Sequence, residues 1–268
     1  MTKIAIIAGA GALPAALAAT LAEKPLVASL EGYAPDGLAA DLSFRVERLV
    51  PFLNTLLDQG VVQVVFAGAI QRPRLDPSLF DPQTAQMVPR ILAAMGQGDD
   101  ATLRAVISIF EDAGLNVVGV KDVAPSLVPE AGVICGAPSK VDEKDAERAT
   151  LIVEALGRAD VGQGCVVQQG LCLAAEALPG TDAMLAGVAA LPLGLRPDPA
   201  RGRGLFYKAL KPGQDPRIDL PTLGPDTVTR AAQAGLGGIA FAAGGVICLD
   251  LPEMRARADA AGLFLWAR

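Results

Sequence analysis

Histidine is absent from all 268 residues. That removes Ser-His-Asp and Cys-His catalysis and leaves carboxylates, lysines and an oxygen-liganded metal as chemical resources. Aromatic residues make up only 4% of the chain, so the core has to be aliphatic, as where helices pack on buried strands. No run of basic residues occurs and the formal net charge is −6, which argues against nucleic acid as a partner. The four cysteines, Cys135, Cys165, Cys172 and Cys248, show no C-x-x-C spacing and have no histidine to complete a zinc site. Reduced thiols buried in a cytoplasmic chain are the economical reading. Uninterrupted apolar runs of membrane length are missing too. Ile4 to Ala22 carries no charge but is broken by Gly9, Gly11 and Pro14, and Ala231 to Leu249 contains five glycines and Gln233.

What is present is apolar material in short pieces: 51% hydrophobic residues and a mean hydropathy of +0.40. Lys3 to Ala8, Pro25 to Leu30, Phe44 to Leu49, Val61 to Phe66 and Asn116 to Val120 read as strands, the first and fourth as continuous buried runs. Helical patterns cover 15–22, 51–59, 83–95 and 100–113. A boundary is expected in the Pro/Gly-containing segment from Lys121 to Pro138. The expected architecture is therefore α/β. A Rossmann-like parallel-sheet domain occupies 1–130, an α/β domain with a mixed sheet occupies 131–268, and a ligand site lies between them. In the second half, a helix at 141–156 precedes a hairpin over Gly164 to Glu176 that turns near Gly170, with Gln168 and Gln169 at its tip. Those glutamines either contact a ligand or pair with backbone. Thr181 or Asp182 is expected to cap the next helix, and strands at 238–241, 246–249 and 263–266 alternate with helices at 225–234 and 251–261.

Two glycine turns follow strands. Gly9-Ala10-Gly11-Ala12-Leu13-Pro14 opens a helix, a corner suited to anions, yet it lacks the third small residue and the downstream acid of a dinucleotide fingerprint. Ala67-Gly68-Ala69-Ile70-Gln71-Arg72-Pro73 closes a strand, where Arg72 either meets an anion or caps a neighbouring element.

The most polar stretch is LFYKALKPGQDPRIDLPTLGPDTVTR, Leu205 to Arg230. On a strand over 204–210, Lys208 shares a face with Phe206, and Lys211 falls on the other face unless the strand ends near Leu210. Arg217 and Asp219 are placed to form an ion pair. Asp226 follows Gly224-Pro225 at a helix start, where it either caps the helix or binds a divalent cation or orients a water.

The segments IIAGAGALP (6–14), FAGAIQRP (66–73), GDDATLR (98–104), VVQQGLCLAAEALPGTDAM (166–184) and KPGQDPRIDLPTLGPDTV (211–228) occur in this order. Together they resemble the LpxI-type UDP-2,3-diacylglucosamine pyrophosphatases of lipid A biosynthesis, across nearly the whole chain. The resemblance implies hydrolysis of UDP-2,3-diacylglucosamine to 2,3-diacylglucosamine 1-phosphate (lipid X) and UMP. It also implies attack of water on the sugar-side phosphorus and a need for Mg²⁺ or Mn²⁺. It gives Asp226 a catalytic or metal-binding role. Within these motifs and turns, Gly11, Ala12, Ala69, Arg72, Gln168, Thr181, Asp182, Lys208, Lys211, Gln214 and Thr222 are expected to meet the substrate. The family segment G-I-x-x-E-A-G is replaced by Phe241-Ala242-Ala243-Gly244, so no metal role passes to that position. An amphiphilic substrate implies peripheral contact with the cytoplasmic face of the inner membrane, and both a monomer and a homodimer stay open. A non-catalytic carrier of an acylated sugar nucleotide and an NAD(P)-dependent oxidoreductase are the alternatives, the latter disfavoured by the missing ribose-binding acid.

Overall fold

A computed structural model describes residues 3–70, 74–96 and 99–268. The chain divides into two compact units, Met1–Ser126 with Asp215–Asp219, and Leu127–Gln214 with Leu220–Arg268.

In the first unit, aliphatic runs form strands wherever both faces can be covered. Its elements are β1 (Lys3–Ala8), α1 (Leu13–Thr20), β2 (Leu26–Leu30), β3 (Leu42–Phe44), α2 (Leu49–Asp58), β4 (Val61–Ala67), α3 (Pro82–Ala85), α4 (Val88–Met95), α5 (Asp99–Asp112), β5 (Asn116–Val117) and α6 (Val120–Val123). The strands pair in parallel in the order β3-β2-β1-β4-β5, the expected Rossmann-like arrangement with its switch point between β1 and β4. Ala5 to Ala8 are fully enclosed, as strands covered on both faces require. The core joins Ile7, Leu53, Leu56, Val64, Ile109 and Phe110. Its few aromatics cluster, with Phe44 stacked on Phe52 at 4.0 Å and Phe66 edge-on to Phe110 at 5.1 Å.

Local chemistry shortens or moves several expected elements. The third strand ends at Phe44 rather than Leu49, and a 3₁₀ turn at Val46–Arg48 follows. Glu47 is buried in that turn and accepts the Asp76 N–H, a pairing that a pattern of apolar residues cannot show. The fifth strand stops at Val117. The Asp122 carboxylate accepts the Gly119 N–H and starts α6 there. The helix expected over 83–95 divides into α3 and α4.

The glycine turns after β1 and β4 pack directly against one another. Ala10 and Ala69 exchange two backbone hydrogen bonds of 2.9 Å, and Gly9 N–H donates to Ala67. A Cβ on Gly9 would lie 2.6 Å from the Ala69 carbonyl oxygen, and one on Gly68 2.7 Å from the Gly9 oxygen. The contact is backbone on backbone, so no side chain can yield. Gly9→Ala is expected to destabilise the protein by about 1–3 kcal/mol, read as a lower urea midpoint at unchanged slope.

Residues 215–219 complete this unit. Ile218 packs against its core. Arg217 forms hydrogen-bonded ion pairs of 2.8 Å with Asp215, two residues back, and with Glu111 on α5. The Arg217 guanidinium holds the Asp215 carboxyl below its ordinary value. A depressed folded-state value contributes stability above the unfolded value, near 3.8, and that contribution is lost as pH falls through the folded value. Asp215→Asn should therefore melt about 2–4 °C below the parent at pH 7, with the gap narrowing as pH falls below 3.8 in thermal melts across pH.

The second unit comprises β6 (Gly132–Cys135), α7 (Lys140–Arg158), β7 (Gly164–Gln168), β8 (Leu171–Ala175), α8 (Gly180–Ala189), β9 (Leu205–Lys208), β10 (Thr222–Leu223), α9 (Pro225–Gln233), β11 (Gly238–Phe241), β12 (Ile247–Cys248), α10 (Leu251–Ala261) and β13 (Phe264–Ala267). Its sheet is mixed, in the order β6-β13-β11-β9-β7-β8. The central strands β9, β11 and β13 run parallel, and the flanking pairs are antiparallel. The alternation of side chains splits the core in two. Leu205, Tyr207, Val167 and Ala240 meet α7 through Ala146, Ala149 and Val153. Phe206, Val166, Ile239 and Phe241 meet α8, α9 and α10. The hairpin turns at Gln169 and Gly170, both at positive φ, as a two-residue turn demands, and Asp145 accepts both of their N–H groups.

Candidate active site

Ligands of open α/β sheets collect at the carboxyl ends of the parallel strands, and in the second unit that end carries charge. Lys208 is the last residue of β9, on the same face as Phe206 as expected, and its side chain is only 8% exposed. Its Nζ donates to the Thr181 hydroxyl at 2.7 Å, and that hydroxyl donates to Glu176 Oε1 at 2.8 Å. Nζ and Oε1 lie 3.8 Å apart. Glu176 carried no role in the sequence reading. The one signal was a single carboxylate ending the apolar run GCVVQQGLCLAAE.

Thr181 and Asp182 do not cap α8. Its N-cap is Pro179, with no side-chain bond to the helix start. Thr181 is turned instead to Lys208 and Glu176, and Asp182 Oδ1 lies 3.1 Å from Nε of Arg230 on α9. Asp226 does not cap α9 either. Gly224 takes that position, Thr227 accepts its N–H, and Pro225 supplies the fixed φ of the first turn. Asp226, one residue further in, is 90% exposed and meets Arg257 of α10 at 3.0 Å. Arg257 also binds Thr229 and Glu253. Glu253, then Asp226, raise the pKa of this guanidinium further. A carboxylate in the first turn also faces the positive end of the helix dipole. Thr222 lies just upstream in β10, paired with Ile247.

Other expected residues are held elsewhere. Lys211 turns to the end of α7, where Nζ meets Asp160 at 2.7 Å and the lysine backbone packs on Gly157. That is the face opposite Lys208, so the two lysines do not converge. Gln214 is buried, and its Oε1 accepts the Lys211 N–H within the turn. Gln168 is fully enclosed, with Nε2 donating to the carbonyls of Pro197 and Gly202 while Oε1 accepts two bonds from Arg196. Both ends of its amide are thus taken by the protein itself. In the first unit, Gly11 has φ +94° and its carbonyl accepts the Asp36 N–H. Ala12 is the N-cap of α1, and Ala69 belongs to the paired turns. Arg72 lies outside the described residues.

Burial pushes the thiols of Cys135, Cys165 and Cys248 upward, Cys248 to about 12, so these three are protonated at neutral pH and poor nucleophiles; Cys172 is exposed rather than buried as expected. Among the described residues no three carboxylates or thiols gather as a metal cage. The exposed carboxylate of Asp226 fits Mg²⁺ in its other common mode, in which one or two carboxylates share the ion with substrate phosphates and water.

The fold and its charged strand ends define a two-unit α/β chain suited to an anionic ligand. The models of the LpxI N-terminal and C-terminal domains match residues 3–127 and 130–266. The chain is also 37% identical over 273 residues to the UDP-2,3-diacylglucosamine pyrophosphatase LpxI of Caulobacter vibrioides, covering 99% of this chain and 97% of that protein. The chain belongs to the LpxI family.

Gln168 is expected to act through the fold. Arg196→Met leaves its buried oxygen without donors and should cost about 2 kcal/mol of stability, measured by urea denaturation.

Proposed function

We propose that this protein hydrolyses the diphosphate of UDP-2,3-diacylglucosamine, releasing 2,3-diacylglucosamine 1-phosphate and UMP. The observation that carries the reading is the likeness, along both halves of the chain, to a relative named for a UDP-2,3-diacylglucosamine pyrophosphatase. The charged groups at the strand ends of the second unit support it. Cleaving a phosphoanhydride calls for charge neutralisation and a positioned water rather than a covalent nucleophile. No histidine is present to act as base.

In this reading water adds to the phosphorus nearer the sugar, the bond from that phosphorus to the bridging oxygen breaks, and UMP leaves with the oxygen. Lys208, oriented by Thr181, offsets negative charge on the diphosphate. Asp226 would hold Mg²⁺ or Mn²⁺ jointly with the substrate phosphates, and the ion when bound would neutralise charge developing on their oxygens. Asp226 Oδ1 is held by Arg257, and its 90% exposed carboxylate would also orient the attacking water. Among the described residues no helix is long and apolar enough to cross a membrane. The acylated substrate would be met by peripheral contact at the cytoplasmic face of the inner membrane.

Purified protein with UDP-2,3-diacylglucosamine and Mg²⁺ should release UMP. No UMP above a no-enzyme control sinks the reading, and substrate binding without release would make the protein a carrier. Asp226→Ala should cut turnover about 100-fold or more while melting within about 2 °C of the parent, because an exposed side chain contributes little to stability. Near-normal turnover would reduce Asp226 to a surface partner of Arg257.

A further inference from the structure

The carboxylate of Glu176 reaches Lys208 across a strand that leaves room for it. Glu176 N–H donates to the Gly164 carbonyl at 2.8 Å on one side of β7. Gly164 faces Lys208 in register on the other side. The residue between the two charged groups therefore has no side chain. A Cβ on Gly164 would fall 2.6 Å from Glu176 Oε2 and 2.9 Å from the Phe206 ring. The empty place is filled by the carboxylate itself. Both charged side chains are more than nine-tenths enclosed, and Glu176 Oε2 has no hydrogen-bond partner.

A buried ion pair is a poor device for stability, since apolar side chains of similar volume usually serve as well or better. A buried carboxylate oxygen without a donor adds a further cost. The arrangement does have one clear effect. A carboxylate close by favours the charged ammonium, and the Thr181 hydroxyl, donating to one group and accepting from the other, fixes the direction in which the ammonium points.

We infer that Glu176 is a positioning residue, which acts through Thr181 to hold the Lys208 ammonium aimed at the carboxyl end of β9, where the phosphates of the substrate are neutralised. This role rests on the hydrolysis proposed above. Glu176 itself does not touch the substrate, and its contribution exists only while Lys208 is present.

That dependence can be measured in the full-length protein with a double-mutant cycle. Glu176→Gln, Lys208→Met and the double variant are assayed for UMP release from UDP-2,3-diacylglucosamine with Mg²⁺, separating kcat from KM, and melted in parallel. Glu176→Gln alone should lower kcat roughly 30-fold, less than the roughly 100- to 1,000-fold lost with a donor that touches the reacting group directly. In the Lys208→Met background the same change should alter kcat less than about twofold. Equal losses in both backgrounds, or unchanged kcat in the single variant, overturn the inference. Should Glu176→Gln fail to fold, Thr181→Val interrupts the link with both charges kept. It should lose about tenfold in kcat while Thr181→Ser stays within about twofold, and parental activity in Thr181→Val is the overturning result. A parent protein that releases no UMP removes the hydrolase reading first. Losses in melting temperature that are additive across the cycle then also remove the coupling of Glu176 to Lys208.

Discussion

An ammonium enclosed at the end of an apolar strand persists only where its neighbours answer the charge. Much of the second unit is arranged around that requirement at Lys208. Strand β7 presents a glycine opposite it, the hairpin ends in a carboxylate beside that glycine, and α8 begins with a hydroxyl between the two charges. Thr181 would serve the helix as a cap, yet its oxygen is already engaged. The face that carries Phe206 into the core thus carries Lys208 to its rim, and the transition from apolar to charged takes two residues of one strand.

Features fixed by local periodicity were legible in the sequence. The run Lys3 to Ala8 reads as a doubly buried strand and is a strand throughout, buried from Ala5 to Ala8. The hairpin turns at Gly170, and the aliphatic composition foretells cores in which aromatics are scarce. Features fixed by a distant partner were not. Glu47 converts an expected strand end into a turn because Asp76 lies across from it. Asp182 and Asp226 stand where helix caps are expected, yet their partners are arginines on neighbouring helices. Spacing along one chain says which residue could cap, but not what else can reach it. Glu176 was invisible for the same reason, since its meaning depends on a glycine and a lysine from two other strands.

Glycine shows the same division. The turns after β1 and β4 looked like cradles for a ligand, and their geometry shows a second use. Gly9 and Gly68 let two backbones meet at hydrogen-bonding distance beside the switch point of the sheet. A motif made of small residues therefore holds less information about a ligand than its appearance suggests, because close packing alone asks for the same residues.

The short passage at Asp215–Asp219 has a consequence for how the chain is made. The first unit takes its sheet from residues up to Val117, yet Ile218 and Arg217 come about a hundred residues later. Domains emerging from synthesis generally fold from the amino end first. Here that order cannot run to completion. The amino-terminal sheet has all its strands by Val117, but the patch of core that Ile218 covers stays open until about a hundred further residues have been synthesised.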